Sequence, residues 1–168
     1  MSVEFVAGME EPLDLLMACH ERIHRYLAGV ETLVGFPDWS DPRAIATARS
    51  CAAYFRDALP LHAQDEDDSV GPRLARLGLG TELDATLGRL AEEHETIDAG
   101  CAVLVKALEA VVTGRPRTGE LQEAIGPFAT LLRAHVELEE RLVFVHLDRL
   151  SVSERQAIVA EIRARRTR

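Results

Sequence analysis

Cysteine is scarce in this sequence of 168 residues: Cys19, Cys51 and Cys101 are an odd number and form no CxxC pair. That excludes a disulfide scaffold and leaves free thiols suited to a reducing compartment. With no CxxCH run and no cysteine cluster, heme attachment and iron–sulfur ligation are not suggested either. Positive charge is in deficit, 19 basic against 28 acidic residues for a formal charge of −9, which argues against a nucleic-acid footprint or a polybasic membrane patch. Nowhere do 18 uncharged apolar residues follow one another, and the opening MSVEFVAGMEEP has neither the basic start nor the apolar centre of a leader. The expectation is a cytoplasmic protein forming one domain over residues 1–168, with no nucleic-acid and no membrane partner. Apolar residues, by contrast, are plentiful at 47%, enough for a sizeable core.

Those apolar residues recur in steps of three and four, the spacing of one helical face, and strand-like alternation is absent. The first stretch reads Leu13, Leu16, His20, Ile23, Leu27, Val30, Val34 and stops at Gly35-Phe36-Pro37. A second opens at Asp41-Pro42, an N-cap followed by proline, and carries Ala48, Cys51, Phe55, His62 and Glu66, with a kink expected at Pro60. Gly78-Leu79-Gly80 closes it. Thr81 with Asp84 begins a third, whose stripe is Leu83, Leu87, Leu90, His94, Ile97, Cys101, Leu104, Leu108 and Val111. After Gly114-Arg115-Pro116 a fourth carries Leu121, Ile125, Phe128, Leu132, His135, Glu139 and Leu142, with a kink or restart at Gly126-Pro127. Ser151 and Glu154 form a capping box for a short last helix ending in the arginines of 163–168. The economical fold is all-α: an up-down-up-down four-helix bundle over about 11–149 with a short C-terminal fifth helix over about 151–166.

One histidine interrupts the buried stripe of each long helix: His20, His62, His94 and His135. An unpaired polar group there costs stability, so four of them call for a partner. Their spacing is duplicated, 42 residues from His20 to His62 and 41 from His94 to His135. The local text repeats as well, since Cys19-His20-Glu21-Arg22-Ile23 matches Glu93-His94-Glu95-Thr96-Ile97, and Glu66 and Glu139 each follow a histidine by four. The chain thus reads as two helical hairpins related by an internal pseudo-twofold. At ~1.5 Å per residue, all four histidines can share one level of the bundle. Residues four apart lie on one helical face, so His62 with Glu66 and His135 with Glu139 can each present an imidazole and a carboxylate inward. Four imidazoles and two carboxylates form a mixed N/O donor set that suits iron, manganese or zinc, and two carboxylates able to bridge favour two ions over one.

The pattern H…HxxxE…H…HxxxE resembles the hemerythrin-like, or HHE cation-binding, family over about residues 13–148. The stretch His62 to Pro72 is similar to the family's HxxxEExxxFP segment, and His135 to Val145 to its second copy. The resemblance implies metal ligation by His20, His62, Glu66, His94, His135 and Glu139. It also implies two iron ions in an oxo- or hydroxo-bridged di-iron centre spanned by Glu66 and Glu139, with zinc or manganese as alternatives. The implied small-molecule partner is dioxygen, nitric oxide or peroxide. Three positions depart from the pattern: Gly71 replaces the usual aromatic, Asp67 the second glutamate, and Val145 a proline. Oxygen carriers of the family place a fifth histidine on the third helix, where this chain has Asp98; His24, four residues after His20, is the mirrored candidate for an additional ligand. A ferritin-like site would want ExxH on two helices, and only Glu21-Arg22-Ile23-His24 occurs.

Other residues have blander expectations. His146 lies too far along its helix to reach the centre, and Cys51 and Cys101 read as core. Cys19, beside His20, has the better claim to redox contact. Asp65, Asp67 and Asp68 are candidates to orient ligands or else form a solvated face. Tyr54 reads as core filling, and the arginine-rich end as a helix terminus. Two functions follow: binding or reduction of a small oxidant at a di-iron site, kept dry by Ile23, Ile97 and Leu138 one turn from the ligands; or a metal-responsive or metal-storing module whose fifth helix meets an unspecified protein partner.

Overall fold

A computed structural model describes residues 10–36, 38–116 and 119–167. It is all-helical, with no strand among the described residues. Helix α1 (Pro12–Val34) has proline in its first turn, where a missing N–H costs nothing. It ends where the Trp39 indole donates to the Leu33 carbonyl at 3.0 Å, satisfying one of the orphan acceptors of the last turn. The buried face holds Leu16, Cys19, His20, Ile23, Leu27, Val30 and Leu33, whereas Leu13 and Val34, at the two ends of the expected stripe, are exposed.

Helix α2 (Pro42–Asp57) starts as the sequence indicates: the Asp41 carboxylate accepts the backbone N–H of Arg43 at 2.8 Å. Pro60 does more than kink it. Proline has no N–H for the helical ladder, and α2 ends at Asp57; α3 (Leu59–Gln64) restarts with Pro60 in its first turn. A π-helical turn follows over Asp65–Val70, closed by the Gly71 N–H on the Glu66 carbonyl, and then α4 (Gly71–Arg76). Such a turn widens the helix by one residue, and here it buries Asp65, Glu66, Ser69 and Val70 together. The loop to α5 (Thr81–Val112) uses Gly78 and Gly80 at φ +62° and +124°, a region unfavourable to residues with a Cβ. Gly80 is the N-cap, and the helix begins at Thr81 as the sequence indicates.

Helix α6 (Glu120–Leu142) passes through Gly126-Pro127 without a restart. Both residues are exposed, and the Thr130 hydroxyl donates to the Gly126 carbonyl at 3.0 Å. A 3-10 turn (Phe144–Arg149) leads to α7 (Val152–Arg166), whose capping box pairs the Ser151 hydroxyl with the Glu154 N–H and the Glu154 carboxylate with the Ser151 N–H.

Helix α1 packs on α2 and α6, α5 packs on α2 and α6, and α7 lies against α1 and the π turn. Two apolar clusters result. One gathers Ile23, Phe55, Leu59, Ile97, Leu132 and Val136; the other gathers Leu16, Val70, Leu90, Val143 and the α7 residues Ile158 and Ile162. Along α1, α3 with its π turn, α5 and α6, the passage between clusters crosses His20, His62 with Glu66, His94, and His135 with Glu139 respectively. A polar layer therefore cuts across the apolar interior.

Candidate metal centre

All six expected ligand residues are buried in that layer, none more than 8% exposed. Their inward atoms fall into two overlapping groups of four: His20, His62, Glu66 and Glu139, and Glu66, His94, His135 and Glu139, with candidate donor atoms within 4.8 Å of one another in each. Glu66 and Glu139 belong to both. His24 belongs to neither and is exposed, so it is not brought to the centre. The buried stripe of α1 runs through His20, Ile23 and Leu27, and a residue four past His20 turns off its solvent side. His146 and Asp98 also stand outside both groups.

Three of the four imidazoles are held from outside by carboxylates. His20 Nδ1 contacts Glu140 at 2.8 Å, His135 Nδ1 contacts Glu93 at 3.0 Å, and His94 Nδ1 meets both Asp67 oxygens at 3.0 Å. A carboxylate can only accept, so each Nδ1 carries a proton and each Nε2 is the nitrogen turned inward. The Nε2 atoms of His94 and His135 are 3.0 Å apart. Two lone pairs at that distance repel unless a proton or a cation lies between them. His62 has no outer carboxylate, and neither of its ring nitrogens has a hydrogen-bond partner among the described residues.

The inner atoms are correspondingly unsatisfied. His20 Nε2 and both oxygens of Glu66 and Glu139 are buried without hydrogen bonds, although His135 Nε2 comes within 2.8 Å of Glu139 and His20 Nε2 within 3.3 Å. Burial, followed by the charge of Glu139, pushes the Glu66 carboxyl well above its ordinary range. Burial, followed by His20, pushes the His62 imidazole down to about 3. Seven buried nitrogen and oxygen atoms without hydrogen bonds are costly in a bare protein. Their chemistry fits cations, since imidazole lone pairs and carboxylates are the donor set of iron, manganese and zinc.

Glu93 and Glu140 were not singled out in the sequence, although each is the immediate neighbour of a ligand candidate, Glu93 of His94 and Glu140 of Glu139. One step along a helix turns ~100°, so each reaches across to the imidazole of an adjacent helix instead. Asp67 is the one member of the acidic run that orients a ligand. Asp65 is wholly buried and accepts from Arg165 at 2.9 Å and from Arg166, and Asp68 is exposed. The arginines of α7 are thus more than a helix end. Cys19 Sγ accepts from Arg22 at 3.1 Å and Arg166 at 3.6 Å and belongs to neither metal-capable group. Cys51 and Cys101 lie in the core, where burial pushes their thiols up to about 11 and about 12. Tyr54 stacks on Tyr26 at 3.9 Å within the first cluster, away from the polar layer. Phe144, which the sequence did not flag, stacks on His20 at 4.9 Å.

Beside the centre lies a cavity of about 230 Å³, floored by Glu66, His94 and Glu139 and walled by Val70, Leu87 and Leu90. Gly71 lines it too; a Cβ there would come within 3.2 Å of the Glu66 carbonyl and 4.0 Å of Leu87.

The profile of the hemerythrin HHE cation binding domain matches residues 11–147. The chain belongs to this family. The description of the hemerythrin HHE domain names cation binding, and the polar layer of this chain contains two groups of histidine and glutamate that could hold a metal ion. The chain is also similar to an uncharacterized protein of Haemophilus influenzae, 26% identical over 141 residues that cover 81% of this chain and 78% of that protein. Among the described residues no helix is long and apolar enough to cross a membrane.

Proposed function

We propose that this hemerythrin-like chain holds two iron ions between His20, His62, His94, His135, Glu66 and Glu139, and that the centre binds or reacts with a small oxidant: dioxygen, peroxide or nitric oxide. One observation carries the reading. Two four-residue groups share Glu66 and Glu139, so two cations can each take two imidazoles while the two carboxylates span both. When bound, iron would supply the redox change and an open coordination position. The rest is the work of this chain's own residues. Glu140, Asp67 and Glu93 fix the tautomer of His20, His94 and His135, and so aim three lone pairs inward. Ile23 and Ile97, fully or nearly buried one turn from ligand positions, exclude water from that side.

We read the chain as one domain whose four principal helical passes run up, down, up and down. The order of the two apolar clusters supports this: α1 meets the α7-side cluster before its histidine and the other after it, the α2–α4 segment meets them in the reverse order, and α5 and α6 repeat the alternation.

Metal analysis of protein from iron-supplemented cells tests the proposal, with about two irons per chain expected on this donor set. The reduced protein should then change its iron absorption on exposure to dioxygen, peroxide or nitric oxide. One tightly held zinc, or an iron spectrum indifferent to all three, would remove the oxidant reading. A second reading, a metal-responsive or metal-storing module, is favoured by one contact: Arg165 and Arg166 of α7 grip Asp65, the neighbour of Glu66, which ties the C-terminal helix to the occupancy of the centre.

A further inference from the structure

We propose that the oxidant taken by this centre is an organic hydroperoxide, its apolar body lodged in the cavity beside Glu66, His94 and Glu139 and its peroxide end turned to that floor. This rests on the oxidant reading above and narrows it to a substrate class. The first argument is size. A volume of about 230 Å³ is several times what one diatomic molecule or one water needs, and diatomic ligands alone would leave most of it to disordered water.

The second argument is the lining. Val70, Leu87 and Leu90 offer a hydrocarbon wall, and the charged lining residue Asp67 is engaged with His94; such a wall gains by meeting an apolar body. The third is the floor. Glu66, His94 and Glu139, three of the six residues that would hold the cations, line the cavity, so a molecule lodged in it lies against the centre itself. Gly71 keeps this space available, because a side chain there would begin against the Glu66 carbonyl and point at Leu87. Ala91, an exposed small residue of α5, lines the open side of the cavity with Pro72 and Ala75.

The test uses the full chain loaded with zinc, which cannot change oxidation state, so that binding is read without turnover. Cumene hydroperoxide and hydrogen peroxide are titrated separately while the methyl resonances of Val70, Leu87 and Leu90 are followed by NMR. Saturable shifts at these methyls with cumene hydroperoxide, and none with hydrogen peroxide, are expected. Ala91→Trp crowds the open side and Leu87→Trp fills the wall; each should weaken the organic ligand about tenfold or more relative to the parent, and the two sit at different places so that a folding defect in one leaves the other informative. Absence of saturable shifts, or undiminished binding in both variants, would overturn the proposal. An iron-loaded protein that responds to hydrogen peroxide while the zinc form ignores cumene hydroperoxide would leave the oxidant reading standing and overturn this one alone. A chain that retains no metal would overturn both.

Discussion

Asp65 Oδ1 accepts from Arg165 Nη1 at 2.9 Å with the aspartate wholly buried, so the last turn of α7 is anchored to the π turn that presents Glu66. Arg166 joins on the other oxygen, and the Ser69 hydroxyl lies 2.8 Å from the same Arg165. Breaking a buried ion pair by removing one partner leaves the other charge uncompensated and costs roughly 3–5 kcal/mol. Asp65→Ala should lower the unfolding free energy by that order, and the double change Asp65→Ala with Arg165→Ala should cost less than the two singles added. Urea unfolding of the four proteins checks it; strict additivity would show that the pair is not coupled.

The carboxylates outside the centre should matter to metal without being ligands. Glu93→Gln and Glu140→Gln keep shape but remove the charge that holds the imidazole tautomer, and loss of such a partner typically weakens metal binding ~10–100-fold. Competition with a chelator gives the affinity. Affinity equal to the parent would show that the Nδ1 contacts are incidental.

The metal-free protein should gain from losing what the metal-bound one needs. Glu66 is a buried carboxyl group without a hydrogen bond in the bare chain, and leaving such a group unsatisfied costs ~1–3 kcal/mol. Glu66→Leu should therefore raise the melting temperature of the metal-free protein and lower the metal content of the loaded one. Calorimetry of both forms decides, and a variant less stable without metal would contradict the account of the polar layer.

The pH dependence of the metal-free fold follows from His62. Its imidazole is buried in the neutral form, and its affinity for a proton falls from the ordinary 6.5 to about 3. A base depressed in the folded state contributes stability that is full above the unfolded value and is lost as pH falls from 6.5 towards 3, on the order of a few kcal/mol over that window. Glu66 acts oppositely: its raised carboxyl contributes stability present below 4.5 and lost as pH rises through the folded value. His62→Leu should flatten the acid side of the stability curve, measured by denaturation from pH 7 to 4. An unchanged slope would show that His62 is not the titrating group.

How far the sequence could be read depended on whether a feature is local to one helix. His20, His62, His94 and His135 stood out because each interrupts an apolar stripe, and burial follows directly from helical spacing. Asp41, Ser151 and the break at Pro60 are likewise decided by atoms a few residues apart. Glu93, Glu140 and Arg165 act on partners 42, 120 and 100 residues away, and only the packing of neighbouring helices selects them from a surface rich in similar charges. His24 shows the same limit in reverse: it shares a face with His20 by simple spacing, yet a rotation of ~40° carries it over the edge of the buried stripe. The π turn had no sequence signal, since its extra residue reflects the fit of Asp65 and Glu66 to groups outside their own helix.

The two apolar clusters on either side of the polar layer make the bundle a pair of half-cores spliced at the waist. Each half alone offers its helices only a few turns of packing, a length at which helices in water are marginal. In the bare chain the splice contains seven buried atoms without hydrogen bonds, on α1, α3, the π turn and α6, so it forms a fault plane across the bundle. Loss of cation should therefore be felt as opening at mid-height, with amide exchange accelerating first around His62 and His94 while the helix ends near Leu33 and Val111 stay protected, the reverse of the fraying that begins at helix termini.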